Sequence, residues 1–113
     1  MRMAVVTSSQ RQHLDLMHAG IGLTNYFEFV LAREDYGKTK PNPEPYLAAL
    51  ERLGMRVENC VAVEDSERGL AAAHAAGLRC LVIPNEITRS CSFQGATAIL
   101  PGAAAVLDAV NDL

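Results

Sequence analysis

The run Cys60-Val-Ala-Val63 constrains this chain most. Four apolar residues end abruptly at Glu64-Asp65-Ser66. An Ala-rich stretch from Glu67 to Ala76, Gly77 and a further apolar run, Arg79-Cys-Leu-Val-Ile83, follow. Such short Val-rich runs are too brief for helices and lack polar alternate positions, so they read as strands covered on both faces. Two such strands joined by a glycine-closed helix make a right-handed βαβ unit in a parallel sheet.

The rest of the chain repeats the pattern. Met3–Thr7, Phe27–Leu31 and the shorter Ala98–Leu100 read as strands. Gln10–Ala19 reads as a helix with Leu14, Leu16 and Met17 as its apolar residues, stopped by Gly20 and Gly22. Glu44–Leu53 carries Leu47, Leu50 and Leu53 on one stripe and is closed by Gly54, and Ala103–Val110 forms a terminal helix. Between them, Asp35 to Pro45 is a loop dense in Lys, Pro, Gly and Asn. The expected fold class is α/β, with 113 residues forming one domain.

Composition narrows the function. Half the residues are apolar, as in an ordinary globular chain. Ten basic and 13 acidic residues give a net charge of −3, which argues against nucleic acid as a partner. No apolar stretch is long enough to span a membrane, and the start does not read as a signal peptide. Cys60, Cys80 and Cys91 form no CxxC pair, which suggests reduced thiols and a cytoplasmic protein. Gly20-Ile-Gly22 fails as a dinucleotide fingerprint because it follows a helix and has Asn25 where a third glycine belongs. No phosphate-binding GxxxxGK[ST] is present, and His13, His18 and His74 are scattered.

In a parallel α/β sheet, chemistry gathers beyond the C-terminal ends of the strands. Three groups stand there. Glu64-Asp65 offers paired carboxylates suited to Mg²⁺, unless Asp65 or Ser66 merely caps the next helix. In Lys38-Thr-Lys-Pro-Asn-Pro43, Pro41 biases Lys40 to an extended backbone, and Lys40 is placed to balance a phosphate or a carboxylate pair unless it is a solvated surface charge. Thr7-Ser8-Ser9 sets a hydroxyl and helix-opening amides at a strand end, either as an anion site or as a plain cap.

Taken in order, Val-Val-Thr7-Ser-Ser, Lys40-Pro-Asn-Pro-Glu-Pro-Tyr46 and Val-Ala-Val-Glu64-Asp65-Ser66-Glu-Arg-Gly69 resemble the haloacid dehalogenase-like hydrolase superfamily, in its phosphoglycolate phosphatase and β-phosphoglucomutase branch. Val82–Thr88 and Phe93–Leu100 resemble that branch as well. A receiver domain also uses Asp, Thr and Lys, but its acidic pair comes first, whereas here it comes last. The resemblance implies a three-layer Rossmann-like parallel sheet. It makes Thr7, with the Ser8 amide, a phosphate-binding group and Lys40 the cation that neutralises nucleophile and phosphoryl oxygens. Asp65 becomes an Mg²⁺ ligand, Glu64 orients a metal-bound water, and Gly69 lets the helix sit close to its strand.

The family's nucleophile is an Asp in an Asp-x-Asp pattern on the first, central strand, and this sequence contains no Asp-x-Asp. Asp15 and Asp35 are solitary, and neither follows an apolar strand run. Residues 1–113 therefore read as a partial core lacking the first strand and the cap, from an Mg²⁺-dependent phosphatase lineage acting on a small phosphorylated metabolite. A sugar phosphomutase is the sibling enzyme, and a non-catalytic remnant or association module is the rival. The resemblance places the missing strand between the strand ending at Thr7 and the strand ending at Val63. That predicts self-association, which is favoured, or an N-terminal fragment filling the gap, rather than direct pairing of the two edges.

Overall fold

The computed structural model describes residues 1–18 and 23–113. Its strands are β1 (Val5–Val6), β2 (Val30–Leu31), β3 (Val61–Glu64), β4 (Arg79–Val82) and β5 (Ala98–Ile99). Its helices are α1 (Arg11–His18), α2 (Glu44–Leu53), α3 (Glu67–Ala75) and α4 (Val106–Asn111), with short 3₁₀ turns between them. α2, α3, β3 and β4 follow the sequence expectation closely, whereas the ladders within Met3–Thr7 and Phe27–Leu31 are only two residues each and the expected terminal helix opens with a 3₁₀ turn at Ala103–Ala105. The expected stop of the first helix at Gly20 and Gly22 lies outside the described residues.

Among the described residues all strand pairing is parallel, but it falls into two sheets, β1-β2 and β3-β4-β5. β1 and β3 are not paired with each other. Between them runs an apolar trough of about 620 Å³, lined by Val5, Val6, Tyr46, Leu50, Val61 and Val63 among others. Val63, in the middle of an apolar strand, is 44% exposed there. The Ile83 amide bonds the Glu64 carbonyl on the β4 side. Alternation along a parallel strand therefore turns the backbone groups of Val61 and Val63 toward the trough.

The main core lies around β3 and β4, where Tyr46, Ala62, Leu70, Ala72, Ala73, Leu78, Cys80, Val82 and Phe93 are buried together. Small alanines on α3 let that helix lie close to the sheet. Gly54 ends α2 at φ 65°, and Gly77 follows α3 at φ 85°, a conformation that L side chains rarely adopt. These turns return the chain into β3 and β4, whose ends share a rim with the end of β1.

Candidate phosphoryl-binding site

At that rim lies an open depression of about 510 Å³ lined by Val6, Thr7, Ser8, Lys40, Val63, Glu64, Asp65, Ser66 and Ile83. Every residue singled out from the sequence as a site candidate borders it, although Lys40 and Glu64 are 24 positions apart and Thr7 comes from a different sheet.

Thr7 follows β1. Its amide bonds the Leu31 carbonyl at 2.9 Å, and its carbonyl accepts from the Tyr36 hydroxyl at 2.8 Å. Its Oγ1 accepts from the Ser9 amide at 3.1 Å, which fixes the turn. As acceptor there, the hydroxyl keeps its own proton to donate.

Lys40 is placed by a tightly bonded loop. The Glu44 carboxylate accepts from the amides of Gly37 and Lys38, Asn42 Oδ1 accepts from the Glu44 amide at 2.9 Å, and Arg68 donates to the Lys40 carbonyl at 2.5 Å. The Lys40 Nζ lies 2.5 Å from Glu64 Oε2 and 3.3 Å from the Val6 carbonyl. It also stands 5.1 Å from the centre of the Tyr46 ring. The Lys40 and Glu64 side chains are 13% and 8% exposed, so this is a shielded pair whose loss of one partner would strand a charge.

Glu64 and Asp65 are neighbours with different surroundings. Glu64 turns inward, where its Oε2 accepts from Lys40 and from the Tyr46 hydroxyl. Burial first, and then the charge on Glu64, push the Tyr46 phenol far above its ordinary range, so it is a donor at any working pH. Asp65 is exposed at the mouth, where Asn85 Nδ2 donates to its Oδ2 at 3.2 Å and Thr88 Oγ1 donates to its carbonyl at 2.7 Å. Ser66, not Asp65, caps α3, with its hydroxyl accepting from the Gly69 amide at 3.1 Å. This leaves the Asp65 carboxylate available. The expectation for Gly69 is refined: a Cβ at that position would stand 1.8 Å from Glu64 Oε1, so its bareness makes room for the carboxylate.

Among the described residues, no cluster of three or more His, Cys, Asp or Glu side chains could enclose a metal. A lone outward carboxylate still fits Mg²⁺, which keeps several waters and is held through one or two carboxylates. Asp65 therefore fits as a ligand, whereas Glu64 is committed to Lys40. Tyr46, Asn85, Thr88 and Arg68 were not assigned roles from the sequence. Their roles depend on contacts across 18 to 28 positions, which spacing does not reveal.

A cation, a hydroxyl and an outward carboxylate thus meet in one depression at the ends of parallel strands. Residues 1–83 match the family model for haloacid dehalogenase-like hydrolases, and the chain belongs to that family. It is 37% identical over 117 residues to Protein CbbY of Rhodobacter capsulatus, covering all of this chain and 52% of that protein. It is 37% identical over 76 residues to fructose-1-phosphate phosphatase YqaB of Escherichia coli K12, covering 67% of this chain and 40% of that one. Among solved structures, CbbY from Rhodobacter sphaeroides in complex with phosphate superposes with a TM-score of 0.89 at 35% identity, covering all of this chain and 52% of that one. The chain thus spans about half the length of these relatives. The fold is that of haloacid dehalogenase-like phosphatases. Among the described residues no helix is long and apolar enough to cross a membrane.

Proposed function

We propose that these 113 residues supply the phosphate- and metal-binding part of an Mg²⁺-dependent, cytoplasmic phosphatase core acting on a small phosphorylated metabolite. The convergence of Thr7, Ser8, Lys40 and Asp65 on one depression carries this reading. Relatives named for phosphatase activity support it.

Phosphoryl transfer is mostly positioning and charge stabilisation. Thr7 and the Ser8 amide would donate to phosphoryl oxygens. Lys40 would neutralise the charge gathering on them, and Glu64 would hold Lys40 in place. Asp65 would hold Mg²⁺, which when bound supplies further charge neutralisation of the phosphoryl group. In the complete enzyme, a carboxylate oxygen of an Asp outside this sequence would attack phosphorus while the ester P–O bond breaks and the alcohol leaves. Water would then cleave the aspartyl-phosphate, releasing phosphate and the free carboxylate. A phosphomutase would pass the phosphoryl group to a sugar hydroxyl instead.

For the chain by itself, the trough between β1 and β3 is proposed to be closed by a second copy pairing there; in the complete enzyme the strand that would carry that Asp would take that place. The rival reading, an association module without catalysis, draws on the lack of any Asp-x-Asp in the sequence. The test is p-nitrophenyl phosphate hydrolysis with Mg²⁺ by the 113-residue chain freed of host phosphatases. No turnover is expected. Turnover that persists through purification and disappears in Lys40→Ala would contradict the proposal that the nucleophile lies elsewhere.

A further inference from the structure

Glu64 and Asp65 are adjacent carboxylates at the end of one strand, yet only one of them faces the mouth. Side chains alternate across a strand, so the residue that follows Ala62 on the core side is Glu64. One oxygen of its carboxylate is held by two donors, and the other occupies space left by a glycine. Oε2 accepts from Lys40 Nζ at 2.5 Å and from the Tyr46 hydroxyl. Oε1 lies over Gly69, where any side chain would begin 1.8 Å away. Of the two donors, Lys40 has another partner in the Val6 carbonyl and is the group that an incoming phosphoryl would draw away. Tyr46 is 7% exposed on α2, in the packed core, and its hydroxyl bonds only Glu64 among the described residues.

We propose that Tyr46 is a positioning residue: its phenol, with the space above Gly69, commits Glu64 to Lys40 and leaves Asp65 as the single carboxylate facing the mouth. Glu64 is then the counter-ion of Lys40, retained by Tyr46 when Lys40 turns toward a phosphoryl group. This rests on the reading of Asp65 as the metal-facing group.

The test is carbon NMR of the chain labelled at the side-chain carboxyls of Glu and Asp, with Glu64→Gln and Asp65→Asn used to assign the two signals. In the unaltered chain, added Mg²⁺ moves the Asp65 signal and leaves that of Glu64 in place. Tyr46→Phe, which removes only the hydroxyl, shifts the Glu64 signal without metal, makes it respond to Mg²⁺ and tightens Mg²⁺ binding several-fold. That gain disappears in Tyr46→Phe combined with Glu64→Gln. Gly69→Ala, which keeps the phenol but fills the space beneath Oε1, displaces the Glu64 signal by an independent route and serves if Tyr46→Phe does not fold. If no carboxyl signal responds to Mg²⁺, the metal reading of Asp65 fails, but the metal-free comparison still decides the role of Tyr46. A Glu64 signal unmoved by either variant, or one that follows Mg²⁺ in the unaltered chain as Asp65 does, overturns the proposal.

Discussion

Asp35 and Glu64 each have a basic side chain against them, and their surroundings separate their roles. The Asp35 carboxylate accepts from the Ala32 amide at 2.8 Å and from Arg11, and those bonds hold its pKa below the ordinary 3.8. A lowered folded pKa means that the stabilising charge is fully present above the ordinary value and is lost as pH falls through the lowered one. Asp35→Asn is therefore expected to lower the unfolding midpoint at pH 7. The difference from the unaltered chain should shrink as pH drops below about 4. Thermal unfolding of both proteins across that range checks it, and a gap that widens in acid would show that charge is not the cause. In the sequence Asp35 is solitary, because its partner Arg11 is 24 positions away. Tyr46 was equally silent: it belongs to the Lys40 motif, but nothing in that motif says that its hydroxyl reaches a carboxylate on β3. That Thr7, Lys40, Glu64 and Asp65 lie at one rim was legible because each follows a strand or precedes a helix with recognisable end signals.

Among the elements, helices with glycine stops were read most accurately. α2 runs from Glu44 to Leu53 as expected, because Gly54 takes the left-handed turn that closes it. Apart from its chain neighbours, nothing lies within 4 Å of where a Gly54 Cβ would stand, so Gly54→Ala acts through the backbone preference. The expected loss is about 1 kcal/mol, measured by urea unfolding. No loss would mean that the turn relaxes freely. The first strands were less exact. Met3–Thr7 is expected as a strand, and its Met3 carbonyl accepts from the Glu28 amide while its Thr7 amide donates to the Leu31 carbonyl, yet the regular ladder is only Val5–Val6. The backbone bonds of this short ladder run to the β2 side, and the other side of β1 opens on the trough. The segment after β4 gave no periodic signal. It owes its order to the Asn85–Thr88 turn and to buried Phe93, which takes a positive φ of 46°.

On the scale of the molecule, the division of the sheet matters most. Among the described residues, β1 and β3 have no strand paired on the sides that face one apolar trough, and edges of that kind attract strands from other chains. Light scattering over a dilution series is expected to show concentration-dependent association of the chain. A sharp monomer at high concentration with cooperative melting would mean that the edges are satisfied within one copy. Family membership was legible from motif order, and parallel pairing from the alternation of strands with glycine-closed helices. The division of the sheet was expected only through the resemblance, because apolar periodicity fixes which strands exist and not which of them touch. Whether Lys40 and Asp65 serve one phosphoryl site is tested most directly by titrating inorganic phosphate, in the presence of Mg²⁺, into the unaltered chain, Lys40→Ala and Asp65→Asn, followed by phosphorus NMR. Saturable binding by the unaltered chain, lost in Lys40→Ala and weakened in Asp65→Asn, is the expected result. Equal binding by all three, or none by the unaltered chain, would contradict it.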